Sequence, residues 1–399
     1  MHISRNVNLL GWFNFWTDFR PYAPIAILYF AEVSGSYALG MSIFSTVMLA
    51  QAIFEVPTGI LSDRVGRKMT MVYGAGAAVI GMVFYAIGGT YLALVVGAIF
   101  EGLARSFYSG NNEALLFDTV TEMGERGSYQ EYLGKTSSMF QFALAISAVL
   151  GSLMAAISFR IVMWVSVIPM ILAFIVSLRL IEPSLHSAKT GNVYSHLAQA
   201  FKHFLHNPRL RLLSIANILS YAIGEASWLF RSAFIELLWP VWAIGLSQMV
   251  SNMGAAISFY FAGPLLKRFG EFKLLVGGAI LSDIINIISL LMANVFSPAL
   301  MALNSIFFGV NTVAKGNLVQ QEFSDEQRAT MGSLNSFAGS LAFAVFSFLL
   351  GAVADQFGVI AALVGSTLLA FIPIALYAYV LRPRKNQQAN ISPEPSVGK

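Results

Sequence analysis

The sequence predicts an all-α membrane protein of twelve transmembrane helices in two six-helix bundles. Three observations carry that prediction: the composition, the length of the apolar runs and a repeat between the halves. Hydrophobic residues make up 57% of the 399, and charged residues 11%. A soluble chain carries roughly 25% charged residues. The mean hydropathy of +0.69 leaves too little polar surface for a soluble protein of this length. There is no cysteine, which excludes disulfides and thiol chemistry. The start, "MHISRNVNLLGW", lacks the small-residue cleavage site of a signal peptide.

Runs of about 20 apolar residues are long enough to cross the hydrocarbon core as helices. Twelve are present: 8–31, 38–60, 69–89, 91–114, 136–157, 160–180, 210–233, 240–265, 273–294, 298–319, 330–353 and 359–381. They divide the chain into a first bundle over 1–180, a linker over 181–209, a second bundle over 210–381 and a disordered tail over 382–399. Within the linker, "YSHLAQAFKHFLH" (194–206) places Tyr194, Leu197, Phe201 and Phe204 on one face of an amphipathic helix lying on the inner leaflet. Its histidines read as polar-face residues, so no metal site is expected.

Lysine and arginine set the orientation. With the N-terminus cytoplasmic, the inside loops hold seventeen of them between Arg5 and Lys385, and outside loops hold Arg160 and, at a span end, Arg231. Both termini are therefore expected in the cytoplasm. The cell membrane in question reads as a bacterial inner membrane.

The halves repeat. "GILSDRVGRK" (59–68) matches "GPLLKRFGEF" (263–272) at Gly59/Gly263, Arg64/Arg268 and Gly66/Gly270, a shift of 204. "IFEGLARS" (99–106) matches "IFFGVNTV" (306–313) at a shift of 207. Six spans per repeat give both halves the same topology, with a substrate site between them.

The loop "GILSDRVGRK" resembles the signature between helices 2 and 3 of the major facilitator superfamily, G-x-L-[AS]-D-R-x-G-R-[KR], at every specified position. "FEVPTG" (54–59) and "SGNNEALLFD" (109–118) resemble a bacterial, drug-exporter-like branch of it. The resemblance implies the major facilitator fold and a secondary active transporter. It also implies a gating loop of Gly59, Asp63, Arg64, Gly66, Arg67 and Lys68, with Asp118 at the inner end of span 4. Asp63 would face the start of helix 11, where Ser324 and Gln327 have capping-box spacing. The competing reading is that the basic residues only fix topology. Two family features are missing: an arginine four residues before Gly102, where Ala98 stands, and a proline near Gly151 in span 5.

Charges inside spans mark function, because each costs about 2.5–3.5 kcal/mol or more at the bilayer centre. Span 1 holds Asp18 and Arg20 in "TDFRP". Two residues apart, they cannot share one helix face. Pro21 and Pro24 remove the donors for the carbonyls of Thr17 and Arg20, so span 1 should break there with free carbonyls facing a cavity. The shift of 207 takes Asp18 to Glu225. Asp18 and Glu225 are the candidate proton carriers; Arg20, Arg105, Lys315 and Glu55 are the candidate substrate ligands. Glu101 and Arg105, four apart, could simply neutralise each other. Glu55 could brace the loop with Pro57. Lys315 either snorkels to the inner surface or binds an anion.

The leading expectation is proton-coupled antiport: efflux of an amphipathic compound by a monomer that needs no cofactor and no nucleic acid. The alternative is uptake of an organic anion. No phosphate-binding loop, Ser/His/Asp set or H-E-x-x-H motif supports an ATP-driven pump or an enzyme. A membrane receptor would show a sizeable extramembrane domain.

Overall fold

The structure, a computed structural model, describes residues 3–184, 207–321 and 325–381. The expected helix over 194–206, the tail over 382–399 and the Ser324 cap lie outside the described residues.

Among the described residues twelve spans are present, eleven of them long apolar helices. Span 1 is the exception because it is broken. Its first piece, Arg5–Asp18, ends where Pro21 and Pro24 withhold amide donors; a short 3-10 turn, Ala23–Ile25, leads into Ala26–Ser34. Span 2 is Tyr37–Val65, span 3 is Arg67–Ile87 and span 6 is Phe159–Leu178. Span 4 runs Tyr91–Tyr108 and Asn111–Glu122 around Gly110, whose φ of 68° permits the break. Its second piece extends beyond the apolar run ending near 114 and carries Asp118. Span 5 is Tyr129–Ala155.

The second half follows the same order. Span 7 is Pro208–Glu236 and span 8 is Ile244–Phe269. Span 9 opens with a π turn, Lys273–Gly277, and continues over Gly278–Met292. Span 10 comprises Ser297–Leu303, Asn304–Phe307 and Phe308–Gln321. Span 11 is Asp325–Phe357, and span 12 is Val359–Leu369 with Phe371–Leu381. Side chains cap several starts: Ser36 accepts from Leu39 N–H (3.2 Å), Thr90 from Ala93 N–H (3.2 Å) and Asn207 from Leu210 N–H (3.1 Å).

The repeat is visible in the packing. A Cβ on Gly102 of span 4 would lie 2.5 Å from the Val47 carbonyl oxygen and 2.9 Å from the Gln51 nitrogen of span 2. Gly309 of span 10 sits against Ser258 and Phe259 of span 8 in the same way. The shift of 207 takes Gly102 to Gly309 and Gln51 to Ser258. Glycine lets the backbones close at both places, as small residues do between membrane helices.

The chain enters and leaves at one face of the bundle, the terminal face. At the opposite, far face one apolar core joins the halves: Ile27, Met41 and Met48 with Phe230, Phe234 and Phe343. Towards the terminal face each half has its own core, one around Leu10, Phe13 and Leu116, the other around Leu213, Leu275 and Tyr377. Spans 2 and 11 show the divergence. Near the far face Ser45 Oγ lies 2.7 Å from Ser347 Oγ and donates to the Ala344 carbonyl at 2.9 Å. Further along the same face of span 2, Ile53, Val56 and Ile60 are exposed, as are Phe337 and Leu341 on span 11. Among the described residues, the halves are closed at the far face and parted at the terminal face.

Candidate transport site

The break in span 1 builds the site. Because the helix stops at Asp18, Arg20 leaves the helical path and folds back: its Nη2 lies 3.5 Å from Asp18 Oδ1. The expectation that the two cannot share a helix face is overtaken by the break itself. The expected free carbonyls are also taken up. Arg20 Nε donates to the Thr17 carbonyl at 2.9 Å, and Ala23 N–H donates to the Arg20 carbonyl at 3.0 Å. Gly151 of span 5 accommodates the displaced chain, since a Cβ there would collide with the Pro21 carbonyl oxygen.

Arg20 reaches across to span 4, where Nη1 lies 3.6 Å from Glu101 Oε1. Glu101 is the hub. It accepts from Arg105 Nη2 at 2.7 Å and Nε at 3.2 Å, and from the Tyr85 hydroxyl of span 3 at 2.9 Å. Glu101 and Arg105 thus do pair, but within a larger cluster that sequence spacing reads as an isolated neutral pair. The two carboxylates and two guanidiniums of Asp18, Arg20, Glu101 and Arg105 sum to zero charge. Side-chain exposure is 32% for Asp18 and Arg105 but 16% for Glu101, so Glu101 is the more deeply buried member of the cluster. Arg20 holds both its carboxylates at ion-pair rather than hydrogen-bond distance. Beside it, the Thr17 and Tyr108 hydroxyls are buried without a hydrogen-bond partner among the described residues.

Glu225 lies in the middle of the unbroken span 7, half-buried. It has no ion pair or hydrogen bond among the described residues, and Arg105 is the cation within its electrostatic reach. The equivalence with Asp18 is therefore one of sequence position, while the pairing differs.

The other candidates fall elsewhere. Lys315 does not snorkel. Its Nζ donates to Ser220 Oγ of span 7 at 2.5 Å and lies 5.9 Å from the centre of the Tyr377 ring of span 12. Asp283 of span 9 is within its electrostatic reach. Glu55 accepts from Ser109 Oγ at 3.4 Å, one turn towards the terminal face from Arg105. It braces the break in span 4 and does not join the cluster.

In the signature loop only Arg67 of the three cations pairs with Asp118, at 2.5 Å. Arg64 and Asp63 are exposed. The Arg67 and Lys68 amides donate instead to Glu182, at 2.8 and 2.7 Å, a carboxylate that the motif does not include. Gly66 is obligatory there: its φ is 88°, and a Cβ would sit 2.8 Å from the Glu182 carboxyl. Gly59 has open space around it. Among the described residues, the bonds of this loop reach the first half and Glu182 at the start of the linker, and none reaches the second half.

Two six-span halves, parted on one side and lined by charges at mid-depth, define a membrane carrier. Comparison with known proteins supplies the family. The sequence model of the Major Facilitator Superfamily matches residues 6–294 and 213–398, and the chain belongs to that superfamily. It is a transporter and not an enzyme. A Bacillus subtilis protein, the uncharacterized MFS-type transporter YxaM, is 21% identical over 379 residues, covering 92% of this chain and 93% of that one. The Escherichia coli inner membrane transport protein YajR is 22% identical over 250 residues, 59% of this chain and 52% of that one. A crystal structure of the nucleoside transporter NupG superposes with a TM-score of 0.82 at 12% identity, covering 95% of this chain and 100% of that one. A bacterial homolog of the human lysosomal transporter Spinster, inward-facing and unoccupied, gives 0.75 at 13%, covering 95% and 97%. At such identities the superpositions establish the fold.

Proposed function

We propose that the chain exports a small amphipathic organic molecule in exchange for protons, by alternating access of the cavity between its halves. The two bundles are 1–180 and 210–381, joined by the 181–209 linker. The protein works as a monomer in a bacterial inner membrane with both termini cytoplasmic, so the parted face is the inner one. The observation that carries the reading is Glu225, a half-buried carboxylate in the middle of span 7 with no ion pair among the described residues and with Arg105 within its electrostatic reach. Keeping such a charge unpaired is costly, and taking up a proton removes the cost. Deprotonated, Glu225 competes with Glu101 for Arg105; protonated, it releases Arg105 to Glu101. Asp18, the second proposed carrier, is paired instead: it shares Arg20 with Glu101, at 3.5 and 3.6 Å. The apolar face of Ile53, Val56 and Ile60 at the mouth supports an amphipathic substrate. A second reading, uptake of an organic anion, draws on Arg20 and Arg105 sharing one carboxylate beside two unpartnered hydroxyls.

The test is transport in proteoliposomes under an imposed pH gradient, with a panel of cationic, neutral and anionic compounds. Glu225→Gln should abolish uphill transport and spare downhill exchange, because a neutral side chain still lines the cavity. Asp18→Asn should weaken coupling or shift its pH dependence. Wild-type proton-to-substrate ratios in both variants would remove the proposed carriers.

A further inference from the structure

The stretch ending span 11, "GAVADQFG" (351–358), repeats the spacing of "GILSDRVG" (59–66) at the end of span 2: Gly, three residues, Asp, two residues, Gly. The backbones agree as well. Gly66 has φ 88° and ψ 163°; Gly358 has φ 89° and ψ 160°. Each glycine donates its N–H four residues back, Gly66 to Ser62 at 3.0 Å and Gly358 to Ala354 at 2.9 Å. The two stretches lie at opposite faces of the molecule, because spans 2 and 11 run from opposite faces.

Asp355 is engaged where Asp63 is not. Its Oδ1 accepts from Tyr37 N–H at 2.7 Å and its Oδ2 from Ala38 N–H at 2.9 Å. These are the first amides of span 2, in the other half of the protein. A carboxylate on a helix N-terminus is favoured by both the unsatisfied donors and the helix dipole. Gly351 permits the approach, since a Cβ there would lie 2.5 Å from the Tyr37 carbonyl oxygen. Asp63 is exposed, and the Arg67 and Asp118 pair beside it stays within its own half.

We infer that Asp355 is the far-gate positioning residue of transport: its carboxylate clips span 11 onto the start of span 2 and holds the halves closed at the far face. Spans 2 and 11 thus carry one aspartate latch at each face, each built on the end of one span and the start of the other. The far latch is closed in this structure. Closing the terminal face requires Asp63 to meet the start of span 11 while Asp355 leaves span 2. The inference needs only that the halves move, so it stands apart from proton coupling through Glu225.

The absence of cysteine makes the test direct. Leu92→Cys and Phe296→Cys put one spin label at the far end of each half, both at exposed positions. Pulsed dipolar distance measurement in the full chain then reads the far gate. Asp355→Asn should raise the ratio of long to short distances roughly tenfold, the scale of one charge-assisted hydrogen bond. Asp355→Glu should keep most of the short population. Gly351→Ala, which leaves the carboxylate but presses on Tyr37, should also lengthen the distances. Asp63→Asn should shift them the opposite way. A parental distribution in Asp355→Asn, or a shift of the same sign in Asp63→Asn, overturns the inference. If Asp355→Asn does not fold, Gly351→Ala decides, and an unchanged distribution there overturns it equally.

Discussion

Gly151 of span 5 lies directly beneath the carbonyl of Pro21, so close that no side chain fits between them. That contact fixes the displaced segment of span 1, and with it the position of Arg20. Replacing Gly151 by valine should push the segment away. Overpacking of this kind costs about 1–3 kcal/mol. The melting temperature in detergent should fall, and transport should fall further than the stability loss accounts for, because Arg20 moves with Pro21. Unchanged transport in a destabilised variant would separate the break from the site.

Glu101 holds the cluster together, and its removal is the sharpest test of that assignment. Glu101→Gln leaves two largely buried guanidiniums facing each other with only Asp18 to compensate. Losing one partner of a buried ion pair costs about 3–5 kcal/mol. Tyr85→Phe removes one hydrogen bond to Glu101 and should cost about 1 kcal/mol. Thermal unfolding of both variants in detergent checks the order. Equal effects would mean that Glu101 is an ordinary neighbour of Arg105.

The sequence made the break at "TDFRP" legible, because proline's missing donor is a local property. The repeat was legible too: Gly102 and Gly309 match by position and serve the same close approach. The pairing of Glu101 with Arg105 was legible, but spacing shows only neighbours on one helix. Its other partners, Arg20 and Tyr85, come from spans 1 and 3. Lys315 was ambiguous for the same reason, since Ser220 and Tyr377 are distant in the chain. Glu182 escaped notice because it follows span 6 and meets the signature loop only in the fold. Asp355 carries a visible local pattern, but its partner amides lie more than 300 residues away.

Lys315 yields a prediction opposite in sign to Glu101. Its ammonium is largely buried against Ser220 and the Tyr377 ring, and no carboxylate lies within ion-pair distance among the described residues. Lys315→Met keeps the length of the side chain and removes the charge. The protein should be as stable as the parent or more so, as when a buried charge gives way to a packed apolar group. Transport of cationic and neutral compounds should be retained. Selective loss of an anionic compound would support the anion-uptake reading over export.

Orientation is tested at the chain end. Most of the lysines and arginines lie in loops or at span ends on the terminal side, and basic loops stay in the cytoplasm. A fluorescent protein fused after Lys399 should therefore fluoresce, and a phosphatase fused there should be inactive. The same test applied after Gly89, in the loop between spans 3 and 4, should give the reverse: an active phosphatase. A fluorescent protein fused before Met1, read against the fusion after Gly89, checks the broken span 1, because spans 1 to 3 lie between those two points. If its two pieces failed to cross as one unit, only spans 2 and 3 would separate them, and the N-terminus and the loop after span 3 would lie on the same side. A fluorescent N-terminal fusion together with an active phosphatase at Gly89 establishes that the break in "TDFRP" lies inside a crossing segment. Asp18 and Arg20 are then at membrane depth, where their charges require the partners that span 4 supplies.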